Sequence, residues 1–256
     1  MLRSIVAHIY PPFIFLFWVT IFLLVSKLTF YYKPKSWHIR TDMHGTRLVI
    51  SIIGGFFSIF LGFVTFISWS NYKDATGLIA QESTEIYNIW ENSKAFPPSM
   101  FQNVDKLLVK YVSSLINDEW SSMAKGMPSS VTEKISNEMY TQFLHYRPSD
   151  SYIQSYYNRA VSSLHKAIET RNQRIGMLKV IIPSAWYAMI LFGTLIIITV
   201  SVFLLEKNIL GMCIQVMLCI FLAFYITAII LLSHPLSGLI TISNEPYKTL
   251  LHKIKN

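Results

Sequence analysis

Four stretches of this chain contain no Asp, Glu, Lys or Arg: Ser4–Ser26, Leu48–Tyr72, Val180–Leu205 and Asn208–Ser233. Each exceeds the roughly 20 helical residues that cross a hydrocarbon core of about 30 Å at about 1.5 Å per residue. Lipid offers no partner to a backbone N–H or C=O, so such stretches must pair their polar groups internally, as helices. The chain is therefore expected to be an all-α polytopic membrane protein with four transmembrane helices. Its 52% hydrophobic and 14% charged residues agree with this, because a soluble domain carries about 25% charged residues. The first stretch holds His8 and the pair Pro11-Pro12. It lacks the small-residue cleavage site of a secretory signal and is read as a retained span.

These spans divide the chain into residues 1–72 (spans 1 and 2 with their loop), a helical domain over 73–179, a hairpin of spans 3 and 4 over 180–233, and a tail over 234–256. The central domain has twelve Lys/Arg against eleven Asp/Glu. The net charge of +8 thus comes mainly from the short flanks and loops. That distribution argues against nucleic acid, which needs a basic patch on a folded surface. With four spans, both termini and the central domain share one side. Arg3, Lys73, Lys166, Arg171, Arg174, Lys179, Lys248, Lys253 and Lys255 lie there, against Lys27, Lys33, Lys35, Arg40, Arg47 and Lys207 opposite. This excess places termini and central domain in the cytoplasm, at the inner membrane for a bacterial chain.

The central domain reads as helices separated at "AFPPS" (95–99), "GMPSS" (126–130) and "HYRPSD" (145–150). Capping boxes are expected after each break: Ser99 with Gln102, Ser130 with Glu133 and Ser151 with Gln154. Apolar stripes follow at three-and-four spacing. The first is Val104, Leu107, Leu108, Tyr111, Val112, Leu115 and Ile116. The second is Ile135, Met139, Phe143 and Leu144, widened by Tyr140, and the third Ile153, Tyr157, Val161, Leu164 and Ile168. The second span is expected to continue as helix past Tyr72 towards Trp90, and the last domain helix to run into the third span.

No catalytic constellation emerges. HExxH, paired CxxC, a glycine-rich phosphate loop and GxSxG are all missing from the sequence. Cys213 and Cys219 point about 240° apart on one helix and are read as packing residues. No histidine pair has ligand spacing, so neither a metal nor a cofactor is expected. Asp118-Glu119 admits an acid–base pair or a cation site. Adjacent helical residues diverge by about 100°, so a solvated helix face is preferred.

In the second span, on a wheel at about 100° per residue with Gly54 at zero, Ser51, Gly54, Gly55, Ser58, Gly62 and Thr65 share an arc of about 100°. Ile59, Phe63 and Phe66 follow at about 120–180°. Small-residue faces let membrane helices approach closely, which makes Ser51, Gly54, Ser58, Gly62 and Thr65 helix-packing residues. Alternatively, the small face packs on a neighbouring subunit while the Ile/Phe edge faces a shared axis, where apolar rings gate ions by dewetting.

"LGFVTFISWSNYKDA", residues 61–75 with Trp69, Asn71 and Tyr72, resembles the pore helix of bestrophin anion channels. It is still more similar to the bestrophin-like family of bacterial and plant membrane proteins. Trp120, Met123 and Gly126 match that family's Trp-x-x-Met-x-x-Gly, Arg171 and Arg174 its paired arginines, and Pro183 and Trp186 its Pro-x-x-Trp. Pro235, Ser237, Gly238 and Pro246 match its closing motif. The resemblance implies a homopentamer in the bilayer, with four segments per chain, cytoplasmic termini and a conducted inorganic anion such as chloride. It implies a neck of Gly55, Ile59 and Phe63, one turn apart. Gly55 stands where bestrophins carry a bulky apolar residue and leaves that ring open, so Phe66 is a further pore-lining position. Calcium-activated bestrophins bind the ion through acidic residues after the last span. This tail offers only Glu245, too few carboxylates for about 6–8 oxygen ligands, and no comparable calcium gating is expected. Arg171 and Arg174 are read as flanking charges near lipid headgroups in preference to anion guides. The function expected is an oligomeric, anion-conducting channel, not an enzyme. The alternative is a membrane-anchored scaffolding protein without ion flux.

Overall fold

The computed structural model describes residues 9–34, 43–148, 150–179, 182–205, 208–236 and 242–255, with the side chains of 43–47 excepted. Among these residues the helices are α1 (Pro11–Tyr32), α2 (Met43–Ser93), α3 (Pro98–Ser114), α4 (Trp120–Ala124), α5 (Ser130–His145), α6 (Ser151–Gly176), α7 (Ser184–Leu204), α8 (Ile209–Leu232) and α9 (Glu245–Lys255). A π-helical turn, Leu115–Glu119, joins α3 to α4. No strand occurs among the described residues. Two compact units form: a membrane unit of His8–Ser70 and Ile181–Ser233, and a helical unit built mainly from Asn71–Val180 and His234–Asn256.

In the membrane unit, α1, the apolar part of α2, α7 and α8 are long and apolar enough to span a bilayer. α1 starts later and ends later than the uncharged stretch Ser4–Ser26. Pro11 and Pro12 form its first turn, where proline's fixed φ suits a helix and its missing N–H costs nothing. Lys27 stays inside the helix, exposed. α1 packs against α7 and α8, which pack on each other. Lys33 Nζ donates to the carbonyls of Val202 (3.0 Å), Phe203 (3.2 Å) and Leu205 (3.0 Å). A cation thereby satisfies the orphan acceptors and the negative dipole end of α7. Asn208 caps α8, its Oδ1 accepting from Gly211 N at 2.7 Å. Ser201 Oγ donates to Gln215 Oε1 at 2.7 Å, a polar tie across the hairpin. At Gly193 a Cβ would lie 2.3 Å from the Phe57 ring, so a side chain there would force that ring to move.

In the helical unit, apolar faces of α2, α3, α5, α6 and α9 share one core. α2 contributes Ala75, Ile79, Ile86 and Ile89, and α9 contributes Tyr247, Leu250 and Ile254. Phe96 sits among Phe143, Tyr146 and Tyr157, with ring centroids 5.4–6.4 Å away. Some sequence expectations shift here. Leu144 is exposed. The buried line of α6 runs through Ala160, Ser163, Leu164, Ala167 and Thr170, while Ile153, Tyr157, Val161 and Ile168 are half-buried on its flanks. Small residues there let α6 approach closely, and the larger ones fill the sides. The helix starts also move. Asp150, not Ser151, caps α6 by accepting from Ile153 N at 2.9 Å. Ser129, not Ser130, caps α5 through Thr132 N. α3 begins on Pro98 with no side-chain cap, so Ser99 lies inside it. α6 does not run into α7: it ends at Gly176, followed by a 3₁₀ turn over Met177–Lys179. Pro183 disfavours helical backbone at the residue before it and opens α7, where Trp186 N donates to its carbonyl at 2.9 Å.

Candidate functional site

On α2, Leu61, Val64 and Ser68 are buried in the membrane unit. The residues predicted to face a pore lie on another side: Gly55 is exposed, and Ile59, Phe63 and Phe66 are 70%, 55% and 66% exposed. Of the small residues, Ser51, Ser58 and Gly62 are exposed, while Gly54 and Thr65 are half-buried. A Cβ built at Gly54, Gly55 or Gly62 would meet nothing within 4 Å, so among the described residues no side chain packs closely on these three glycines. Two motif residues do come together, for the Phe63 and Trp186 rings lie 6.3 Å apart.

The second cluster lies inside the helical unit. Its local cause is the π turn, in which Trp120 N–H bonds back to Leu115 O, five residues earlier. Such single turns insert one residue into a helix and gather at functional sites. This one carries Glu119 into the interior. α4 then ends in a Schellman motif: Gly126 N donates to Met123 O (2.8 Å) and Met127 N to Ser122 O (3.1 Å). Gly126 has φ 82°, a left-handed conformation that glycine adopts without steric cost. The Trp-x-x-Met-x-x-Gly pattern therefore has a structural meaning. Gly126 ends the turn, Met123 Sδ accepts from Arg174 Nη1 at 2.7 Å, and the Trp120 ring packs edge-on against Tyr247.

Arg171 and Arg174 of α6 sit at the centre, among the largest fully buried side chains. Arg174 Nε donates to Glu82 Oε2 of α2 at 2.8 Å, and its Nη2 to Glu82 Oε1 (3.3 Å) and Glu119 Oε1 (3.2 Å). Arg171 donates through Nε (3.1 Å) and Nη2 (2.9 Å) to Glu119, and through Nη1 to Glu133. Tyr247 OH of α9 donates to Glu82 Oε2 at 2.7 Å and Tyr111 OH of α3 to Glu82 Oε1 at 3.3 Å. Two guanidiniums thus face two fully buried carboxylates, with Glu133 closing the set from an exposed position.

Burial opposes charge on Arg174, but Glu82, Tyr247 and Glu119 together outweigh it and hold the guanidinium above the ordinary arginine pKa. Arg171 behaves likewise through its hydrogen bonds to Glu119. Burial, reinforced by the charge of Glu82, pushes the Tyr111 phenol well above 10. Burial also raises Tyr247, and Glu82 adds to it against the opposing pull of Arg174. These guanidiniums are fully engaged. The expectation that Arg171 and Arg174 flank lipid headgroups is corrected: they are buried ions, held by carboxylates. Nor is Asp118-Glu119 a solvated face, because Glu119 is 0% exposed. A signal existed, since Glu119 continues the stripe Leu108–Leu115 four residues on and precedes buried Met123 by four. Glu82 likewise interrupts the apolar line Ala75, Ile79, Ile86, Ile89.

The remaining motif residues scatter. Trp69 is exposed, and Asn71 and Tyr72 are half-buried. Pro235 O accepts from Ile242 N at 3.0 Å, and Pro246 O accepts from Ser83 Oγ at 3.1 Å. Ser237 and Gly238 lie outside the described residues, as do Arg3, Lys35, Arg40, Lys207 and the side chain of Arg47. Cys213 is exposed and Cys219 buried. Among the described residues no group of three or more His, Cys, Asp or Glu could hold a metal ion.

The sequence matches the Bestrophin-like domain over residues 18–247. The chain belongs to the bestrophin-like family. That family is a channel family, and this member is an integral membrane protein. No curated protein matches the sequence. Among solved structures, a mutant of a bacterial bestrophin homologue from Klebsiella pneumoniae is similar with TM-score 0.74 and 15% identity, over 94% of this chain and 99% of that one. Another mutant of a Klebsiella pneumoniae bestrophin homologue gives 0.70 and 16%, over 94% and 97%. At such identities the likeness shows a shared fold.

Proposed function

We propose that this bestrophin-like protein is one subunit of a homo-oligomeric anion channel, a pentamer by family resemblance, with α2 lining the pore. One observation carries the reading. In the apolar window of α2 only 11% of residues are buried, and among the described residues nothing lies within 4 Å of a Cβ built at Gly54, Gly55 or Gly62. A face shaped for close helix packing, left largely open by the described residues, fits a neighbouring copy. Beside it, Ile59, Phe63 and Phe66 present an apolar edge to the shared axis, and Gly55 leaves the first ring open. Phe63 is the narrowest ring, braced by Trp186. The termini and the helical unit are cytoplasmic, the permeant ion is chloride or a similar anion, and gating comparable to that of calcium-activated bestrophins is not expected, since the tail offers Glu245 alone against about 6–8 oxygen ligands.

Purified protein reconstituted in a planar bilayer across a KCl gradient tests this. The expected current reverses near the chloride equilibrium potential, and Phe63→Ala raises unitary conductance. Reversal near the potassium potential would refute anion selectivity. Silence from folded, oligomeric protein would favour a scaffolding role.

A further inference from the structure

Along the inward line of α2 from Ala75 to Ile89, four positions are apolar and one, Glu82, is a fully buried carboxylate. The shortest of its hydrogen bonds comes from the tail, through the Tyr247 hydroxyl at 2.7 Å. The same helix, α9, grips the next turns of α2 as well. Pro246 O accepts from Ser83 Oγ at 3.1 Å, and Lys253 Nζ lies 5.5 Å from the centre of the Tyr87 ring. α9 has 11 residues, and isolated helices shorter than about 12–15 residues are marginal in water. Its order therefore depends on docking through Tyr247, Leu250 and Ile254. A buried carboxylate strongly disfavours any state in which it loses partners, so Glu82 makes docking of α9 and placement of α2 interdependent.

We infer that Tyr247 is a positioning residue for α2, and that α9 is a clamp whose docking sets the gating equilibrium of the channel. The inference rests on the proposal that α2 lines the pore. A contact shifts an equilibrium only if it differs between the two states. The Tyr247–Glu82 bond is that contact: it is made when α9 is docked and lost when it lifts.

Tyr247→Phe keeps the ring against Trp120 and Arg174 and removes only the hydroxyl. In single-channel recordings of the full-length reconstituted protein it shifts the open-to-closed ratio about tenfold, as expected for losing one hydrogen bond to a charged group. Unitary conductance and reversal potential stay unchanged, because no pore side chain is altered. In a Glu82→Gln background the added effect of Tyr247→Phe falls well below tenfold, and the exposed Thr249→Ala changes nothing. An unchanged ratio with a lowered melting temperature makes Tyr247 merely structural and overturns the inference. So does an equal shift in both backgrounds. If wild-type protein does not conduct, the pore reading fails, and amide hydrogen exchange judges the clamp alone. Tyr247→Phe then speeds exchange over residues 79–93 about tenfold and leaves 153–168 unchanged. A uniform rise, or none, overturns it.

Discussion

Replacing Arg174 by Met removes a guanidinium while roughly keeping the length and apolar stem of the side chain. Arg174 is 0% exposed and makes three hydrogen bonds to two carboxylates, at 2.8, 3.3 and 3.2 Å. Without it, among the described residues, Glu82 keeps Tyr111 and Tyr247, and Glu119 keeps Arg171. Breaking a buried ion pair by removing one partner costs about 3–5 kcal/mol, because the remaining charge stays desolvated. That is a large share of the roughly 5–15 kcal/mol that holds a typical domain together. The pair Lys94–Glu91 has the same kind of contact at 2.9 Å, but with side chains 44% and 49% exposed. Water screens it, so Lys94→Ala should cost only about 0–1 kcal/mol. Native-state amide exchange over α3 and α6 in detergent-solubilised protein measures both. The double variant Arg174→Met with Glu82→Gln should cost less than the sum of the singles, by about 0.5–3 kcal/mol. A loss below about 1 kcal/mol for Arg174→Met, or strict additivity in the double, would refute the argument that these charges depend on each other in a dry interior.

Gly126→Ala forces an L side chain into the left-handed backbone at φ 82° and should cost about 1–2 kcal/mol. Gly126→Asn should lose less, because asparagine tolerates that conformation; thermal melts rank the two. Stability should also fall with alkaline pH. Tyr111 and Tyr247 are raised well above 10 in the folded protein, whereas an unfolded tyrosine titrates near pH 10. Below about pH 10 their contribution is intact. Above it the unfolded chain releases protons that the folded one retains, and stability drops as pH rises. Tyr111→Phe with Tyr247→Phe should flatten this alkaline slope in melting temperature, and an unchanged slope would refute the assignment.

Much of the fold was legible because its signals are local. The uncharged runs beginning at Leu48 and Asn208 are helical for one reason: lipid forbids unpaired backbone. The second span continued as helix to Ser93, and the family could be recognised from residues in their order along the chain. The helix starts were less legible. Asp150 and Ser129 took the caps expected of Ser151 and Ser130, since neighbouring oxygens compete for the same free N–H groups and the chain's path into the helix decides between them. The charge cluster was hidden for a different reason. Glu82, Glu119, Arg171 and Arg174 each look like solvated charges when read singly, although they occupy helix positions that otherwise bury apolar groups.

The sequence by itself determined four spanning helices, an all-helical fold and membership of the bestrophin-like family, because run length, periodicity and motif order act over one or two helical turns. Tertiary structure alone decided that residues 82, 119, 171, 174 and 247 meet. A buried ion is tolerable only where its counter-charge is brought within about 3 Å, and that proximity comes from packing α2, α3, α6 and α9 around one core.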